Sequence, residues 1–323
     1  MSEKPVIVVG RKLPENVEAR LERDYRPKFN PDDRLYATDE LLDLCADADG
    51  VLPCHTEHFS REVVGRLPDN VKVIANFSVG VDHCDLGALA ERGIVVTNTP
   101  DVLSDATAET AMLCMLGAAR RASEGDRMVR DGRWKSWSPA FMVGTQVTGK
   151  RFCVVGMGRV GQVTALRARG FDMDVHYHNR TRLAPEVEQR LGATFHDDLE
   201  SLLAIADVLS LHCPSTPETK GLMNAERFGQ LPDGAIFVNT ARGALVDEAA
   251  LIGALETGKL AAAGLDVFVT EPGGNPDFAA RDDMFLLPHI GSATADTRDA
   301  MGFRALDNLD AFFAGGKPGD RVA

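Results

Sequence analysis

The run Arg151-Phe-Cys-Val-Val155 has the length and apolar content of a buried strand, and it stops on Gly156-Met-Gly158-Arg-Val-Gly161. The residues after it read as a helix, with apolar positions at 160, 163 and 166. Few local patterns limit a fold so closely. A strand, a glycine turn and a helix N-terminus make the first βα step of a doubly wound parallel sheet that binds a dinucleotide. Gly156 permits the tight turn, Gly158 lets the backbone approach a pyrophosphate, and Gly161 lets helix and strand pack closely. The helix N-terminus adds N–H donors and a positive dipole. This step begins in the middle of a 323-residue chain, so a sizeable unit folds ahead of it and two domains are expected.

Short apolar runs separated by helical patterns fill both halves. Strands are expected at Val6–Val9, Val51–Leu52, Val73–Ala75 and Ile94–Val96, with helices near 14–23, 38–46, 60–66 and 85–92. A long Ala-rich helix, capped by Ser104 or Asp105, should run to about Arg121. The second series has strands at 151–155, 173–178, 207–212, 235–239, 261–266 and 284–287, and helices at 159–169, 198–205, 247–256 and 294–314. That alternation predicts an α/β chain with two doubly wound parallel-sheet domains. The stretch 131–149 holds both tryptophans and reads as a loop.

Composition narrows the class. With 44% apolar and 26% charged residues the chain is an ordinary globular one. A net charge of −13 argues against nucleic acid or an anionic membrane as partner. An anionic substrate would need locally placed arginines. The six cysteines are scattered without a C-x-x-C pair, which fits reduced thiols and a cytoplasmic location. The longest apolar segment, Ala111 to Ala119, is too short to span a membrane, and the N-terminal apolar run is too short for export.

The choice between NAD and NADP turns on the end of the strand 173–178. An acid there would hold a ribose 2′-hydroxyl and repel a 2′-phosphate. Asp172 and Asp174 lie at the strand's start instead, and its end reads His178-Asn179-Arg180-Thr181-Arg182. Arginine forks and a hydroxyl suit a phosphate dianion, which favours NADP(H). The alternative is a solvated surface pair of arginines, with NAD(H) as cofactor.

Three more strand ends carry polar residues: Phe237-Val-Asn-Thr-Ala-Arg242, Asp266-Val-Phe-Val-Thr-Glu271 and Leu287-Pro-His289. Strand C-termini are where open α/β sheets bind ligands, so all three can converge on a nicotinamide. Arg242 can clamp the carboxylate of a 2-oxo acid and polarise its carbonyl. His289 can donate a proton to the carbonyl oxygen as hydride reaches the carbon. Glu271, hydrogen-bonded to His289, would fix the ring and favour imidazolium. Singly, each has a structural alternative: a salt bridge for Arg242, a surface acid for Glu271, an ordinary histidine for His289. Cys54 and His55 could touch substrate or simply pack.

With these residues in view the chain resembles the D-isomer-specific 2-hydroxyacid dehydrogenases over essentially its full length. The stretches that carry the likeness are Asn76-Phe-Ser-Val79-Gly80-Val-Asp82, Val155-Gly-Met-Gly-Arg-Val-Gly161, Asn239-Thr-Ala-Arg242-Gly, Glu271-Pro and Pro288-His289-Ile-Gly-Ser-Ala-Thr. The resemblance implies Arg242, Glu271 and His289 as the catalytic set, with the N–H groups of Val79 and Gly80 holding the substrate carboxylate and Ser292 beside them. It implies a cofactor site formed by Thr107, Gly156, Gly158, Arg159, Val160, Gly161, Asn179, Arg180, Thr181, Arg182, Cys213, Pro214, Thr240, Ala241, Asp266, His289 and Gly291. No metal is implied. A flavodoxin-like substrate domain would be discontinuous, residues 1–100 with 294–323, and a Rossmann domain would occupy 101–293, with the active site in the cleft between them.

Within the family, Thr99-Pro-Asp-Val-Leu-Ser-Asp-Ala-Thr-Ala-Glu109, Trp134-Lys-Ser-Trp137-Ser-Pro and Asn179-Arg-Thr-Arg182 are similar to glyoxylate/hydroxypyruvate reductases. That similarity implies NADPH-dependent reduction of small 2-oxo acids by a homodimer in which Trp137 reaches the partner's active site. A dehydrogenase for a bulkier 2-oxo acid or for phosphite is the nearest alternative. Phosphoglycerate dehydrogenases often add a C-terminal regulatory domain, for which the sequence leaves no room; formate dehydrogenases lack the Glu–His pair. A non-catalytic dinucleotide-sensing protein, like the C-terminal-binding-protein corepressors, is the alternative of another class.

Overall fold

The computed structural model describes residues 4–323. The chain divides into two compact units, one built from the residues up to Leu103 together with Ala293–Ala323, the other from Ser104–Ser292.

The first unit contains β1 (Val6–Val9), α1 (Glu15–Asp24), β2 (Arg26–Lys28), α2 (Thr38–Leu44), β3 (Gly50–Leu52), α3 (Arg61–Arg66), β4 (Val73–Ala75), α4 (Leu86–Glu91) and β5 (Val95–Thr97). They form one sheet in the order β2-β1-β3-β4-β5, with every pairing parallel. Every residue of β1, β3 and β4 is buried, because helices cover both faces of the sheet. That is why these strands read as unbroken apolar runs. β2 escaped the sequence reading. Its Arg26-Pro-Lys has no apolar signal, and it pairs only with β1, at the edge where a proline without an N–H is tolerated. Ser60 and Asp85 cap α3 and α4 by accepting from Val63 N and Ala88 N at 3.3 and 2.8 Å.

The C-terminal helix, Ala295–Phe313, belongs to this unit. Met301, Ala305 and Leu309, four residues apart on one face, are buried with Ile7, Val9, Val17 and Leu21. Beyond it, Val322 N donates to Val96 O at 2.8 Å beside β5.

The second unit starts with α5 (Ser104–Ala119) and α6 (Ala122–Arg130). The long helix expected to about Arg121 is α5; Arg121 then adopts a left-handed φ of 55°, and a further helix not expected from the sequence, α6, follows it. There follow β6 (Arg151–Val155), α7 (Arg159–Arg169), β7 (Asp174–His178), α8 (Pro185–Leu191), β8 (Ala193–Phe195), α9 (Leu199–Leu203), β9 (Val208–Leu211), α10 (Ala225–Gln230), β10 (Ala235–Asn239), α11 (Glu248–Glu256), β11 (Leu260–Leu265), α12 (Pro276–Ala279) and β12 (Met284–Leu286). The parallel sheet runs β12-β11-β10-β9-β6-β7-β8, so its order reverses between β6 and β9. Along β6, Phe152 and Val154 enter one core while Cys153 and Val155 enter the other, the two-residue alternation of a strand covered on both faces.

One helix face differs from expectation. Positions 160, 163 and 166 do not form the buried stripe of α7; Leu166 is exposed, and the buried residues are Gly161, Thr164, Ala165 and Ala168. Small side chains line that face so that the helix can approach the sheet closely. The periodic apolar residues lie beside the stripe, not on it.

Candidate active site

Strand register assembles the site of the second unit. His178, Val155, Leu211, Asn239, Leu265 and Leu286 are each the last residue of their strand, and they pair in one continuous row across the sheet. The loops after them therefore leave from a common edge, which brings the segments at 156–161, 179–182, 212–214, 240–243, 266–271 and 287–291 together.

At the switch between β6 and β9, Gly156 has φ 97°, a region that side chains avoid, and a Cβ there would lie 2.5 Å from Cys213 N. A Cβ on Gly161 would sit 2.4 Å from Gly156 O. Both glycines are required by the fold itself. Gly158 differs: nothing lies within 4 Å of where its Cβ would be, so the protein's own packing gives no reason for a glycine. Open space at that position, ahead of the N-terminus of α7, fits close approach by a bound pyrophosphate. Arg159, Val160 and Gly161 supply the first N–H groups of that helix. Asn179 braces the turn, its Oδ1 accepting from Met157 N at 2.7 Å.

The two arginines after β7 separate. Arg182 forms a two-pronged bond to Glu188, Nε to Oε1 and Nη2 to Oε2, both at 2.9 Å, and lies over the ring of Phe195. Glu188 also accepts from Tyr177 Oη at 2.6 Å. Arg182, expected at the cofactor, is here committed to a structural network. Arg180 makes no hydrogen bond or ion pair among the described residues; it is exposed, with its charge felt at Cys213 and Glu218 across the strand-end row. Thr181 and Pro214 are exposed beside it. Burial pushes the Cys213 thiol up to about 11, so it stays protonated at neutral pH. All six cysteines are free.

After β10 the chain turns on Asn239. Its buried side chain accepts from Ala241 N at 3.0 Å and donates to Arg242 O at 2.9 Å, which fixes the backbone that carries Arg242. Thr240 Oγ1, in the same turn, is buried and meets no hydrogen-bond partner among the described residues, as a hydroxyl kept for a ligand would. A Cβ on Gly243 would fall 1.9 Å from the carbonyl carbon of Phe268, so the Arg242 turn packs directly on the loop after β11.

That loop carries Glu271. Its Oε1 accepts from Phe268 N at 2.7 Å, and its Oε2 meets His289 Nδ1 at 2.6 Å. Both side chains are about a quarter exposed, so the pair is open to a ligand. His289 itself adopts φ 55°. Asp266 holds it there: Asp266 O accepts from His289 N at 2.9 Å, and its carboxylate oxygens accept from Ile290 N and Gly291 N, each at 2.7 Å. Burial raises the Asp266 carboxyl above the usual carboxylate range, against the pull of those two bonds and of His289. Gly291 faces Thr107 of α5, and Ser292 follows it.

In the first unit the loop after β4 presents Val79 and Gly80. Their carbonyls accept from Asn98 Nδ2 at 2.8 Å and Ser78 Oγ at 2.7 Å. Their N–H groups meet no acceptor among the described residues, which suits a carboxylate. Trp137 is 73% exposed in the irregular stretch 131–149. Asn239 escaped the sequence reading as a functional residue, although an Asn two residues before a conformationally special turn was a legible signal.

Residues 112–291 match the model of the D-isomer specific 2-hydroxyacid dehydrogenase, NAD binding domain. The chain belongs to the D-isomer-specific 2-hydroxyacid dehydrogenase family. It is 43% identical to a glycerate dehydrogenase of Hyphomicrobium methylovorum, over 98% of each chain. It is 40% identical to a glyoxylate reductase of Pyrococcus furiosus, over 98% of this chain and 94% of that one. Among solved structures it superposes on an NADPH-dependent glyoxylate/hydroxypyruvate reductase of Sinorhizobium meliloti, in complex with NADP and malonate, with a TM-score of 0.85 and 32% identity over 99% and 97% of the two chains. This member of the dehydrogenase family is accordingly an oxidoreductase with a Rossmann NAD-binding domain.

Proposed function

We propose that this dehydrogenase reduces glyoxylate to glycolate and hydroxypyruvate to D-glycerate, with NADPH as the preferred cofactor. The observation that carries the reading is the Glu271–His289 pair at 2.6 Å, on the same sheet edge as Arg242 and the glycine turn. The glycine turn, Asn179, Thr240 and Asp266 are the residues that would hold the dinucleotide. When bound, its nicotinamide supplies the hydride. Arg242 binds the substrate carboxylate and polarises the carbonyl; in the first unit, the N–H groups of Val79 and Gly80 are donors suited to a carboxylate. With Nδ1 engaged by Glu271, the transferable proton of His289 sits on Nε2 and passes to the forming alkoxide. Glu271 keeps the ring oriented while that charge changes.

NADPH is supported by the absence of an acid at the end of β7, by exposed Arg180, and by the likeness to the Sinorhizobium meliloti reductase named as NADPH-dependent. The glycerate dehydrogenase relative is named for the same carbon centre worked in the opposite direction. A homodimer in the cytoplasm is part of the proposal. Leu113, Val129, Trp134, Trp137, Phe141 and Val143 expose apolar surface along α5, α6 and the stretch after them, and Trp137 would complete the partner's site. A sedimentation mass of one chain would contradict the dimer.

Steady-state kinetics on both acids test the residue roles. Arg242→Ala and His289→Ala should each lower kcat/KM by about 10²–10⁴-fold. Near-native rates in either variant would remove that residue from its role.

A further inference from the structure

Glu271 sits in the exposed stretch 269–273 of a loop whose start, at Val267 and Phe268, is packed on the core. The loop leaves β11 at Asp266 and reaches α12 at Pro276, and within it Val269 is 57% exposed. Phe268 packs against Phe278 and donates its N–H to Glu271, and the residues that follow it up to Gly273 are exposed. A side chain from another element closes that gap. Glu248, the first residue of α11, accepts from Val269 N at 2.9 Å through Oε1 and from Asn275 Nδ2 at 3.0 Å through Oε2. One carboxylate thus staples both limbs of the loop, on either side of Glu271. Asn275 is fixed in turn by accepting from Asp277 N at 3.0 Å at the start of α12. Glu248 itself is fixed because the preceding residue, Asp247, caps α11 by accepting from Ala249 N and Ala250 N.

We infer that Glu248 is a positioning residue for the Glu271–His289 pair, acting through the Val269 and Asn275 ends of the loop. The inference rests on the proposed role of that pair in proton donation. Charge-assisted bonds from a carboxylate to N–H donors are stronger and shorter than neutral ones, so this staple restrains the loop where packing does not. Glu271 must stay within hydrogen-bond reach of His289 Nδ1 to hold the ring, and a displacement of about 1 Å at a catalytic group can cost ~10²-fold in rate. Among the described residues, the hydrogen bonds of the Glu248 carboxylate go to Val269 and Asn275 and not to the pair or the glycine turn. Its removal should misalign proton donation and leave binding intact.

The test compares Glu248→Ala, Glu248→Gln, Asn275→Asp and Glu271→Gln in the full-length enzyme, with hydroxypyruvate and NADPH. Glu248→Ala should lower kcat by between about 10- and 100-fold. The KM for each substrate should stay within about twofold, and the solvent deuterium isotope effect on kcat should rise as proton transfer becomes limiting. Asn275→Asp keeps the cap of α12 but sets a second carboxylate against Glu248 Oε2, so it should reproduce the loss of kcat; it carries the test if Glu248→Ala does not fold. Glu248→Gln, whose amide oxygen can still accept from Val269 N, should be intermediate. Normal kcat in both Glu248→Ala and Asn275→Asp, with Glu271→Gln impaired, would overturn the inference alone. Normal kcat in Glu271→Gln would overturn the role of the pair and the inference with it.

Discussion

Arg180 and Arg182 stand two residues apart and have different work. Arg182 is spent on Glu188 in a bond that Tyr177 shares, while Arg180 is exposed at the strand end with no ion pair among the described residues. The sequence treats them alike, because spacing says nothing about where a guanidinium finds its carboxylate. Arg180→Ala should raise the KM for NADPH about tenfold, the value of one charge-assisted bond, and leave that for NADH unchanged. Arg182→Ala should lower the melting temperature and leave the preference between the cofactors as it was. The opposite pattern would return Arg182 to the cofactor. Arg242, Glu271 and His289 were legible because each follows a recognisable apolar strand. Asn239 bonds the backbone of its own turn, at Ala241 and Arg242, whereas Asp266 and Glu248 bond backbone N–H groups distant in sequence, and no local pattern in the chain announces such a bond.

Among the elements, those that fill the interior were readable and those at the rim were not. β6, β9 and β10 are mostly apolar and, Arg151 apart, buried throughout, whereas β2 and β8 are three-residue edge strands with no buried residue. The break between α5 and α6 rests on the backbone of Arg121, which composition does not reveal. The strand that delivers the glycine turn is tied at its start: Asp207, just before β9, accepts from Arg151 N at 2.9 Å and takes Arg151 Nε and Nη2 at 3.0 and 2.9 Å. The Arg151 bond holds the Asp207 carboxyl below the usual carboxylate range. A depressed folded-state value contributes stability above the unfolded-state value, and that contribution disappears as pH falls through the folded-state value. Asp207→Asn should therefore cost about 1 kcal/mol at neutral pH, a figure that allows for solvent around a partly exposed arginine. In denaturant titrations the deficit should shrink steadily once the pH drops below about 4. An equal deficit at neutral and acid pH would show that the charge on Asp207 is not what stabilises β6.

For the whole molecule, the alternation of apolar runs and helical patterns was enough to give two parallel α/β sheets, because both sheets are buried on both faces. Sheet order was not readable, since every βα step looks alike until pairing is seen. The net charge of −13 makes the chain as a whole repel an anionic substrate. In the proposed function, local donors offset that field: Arg242, the N–H groups of Val79 and Gly80, Arg180 and the N-terminus of α7. No helix among the described residues is long and apolar enough to cross a membrane. One set of steady-state rates tests the cofactor and the substrate class together: NADPH against NADH, with glyoxylate, hydroxypyruvate and bulkier 2-oxo acids. Turnover of the two small acids is expected, with kcat/KM higher for NADPH than for NADH. A strong preference for NADH would contradict the cofactor assignment, and negligible turnover of both small acids would contradict the substrate.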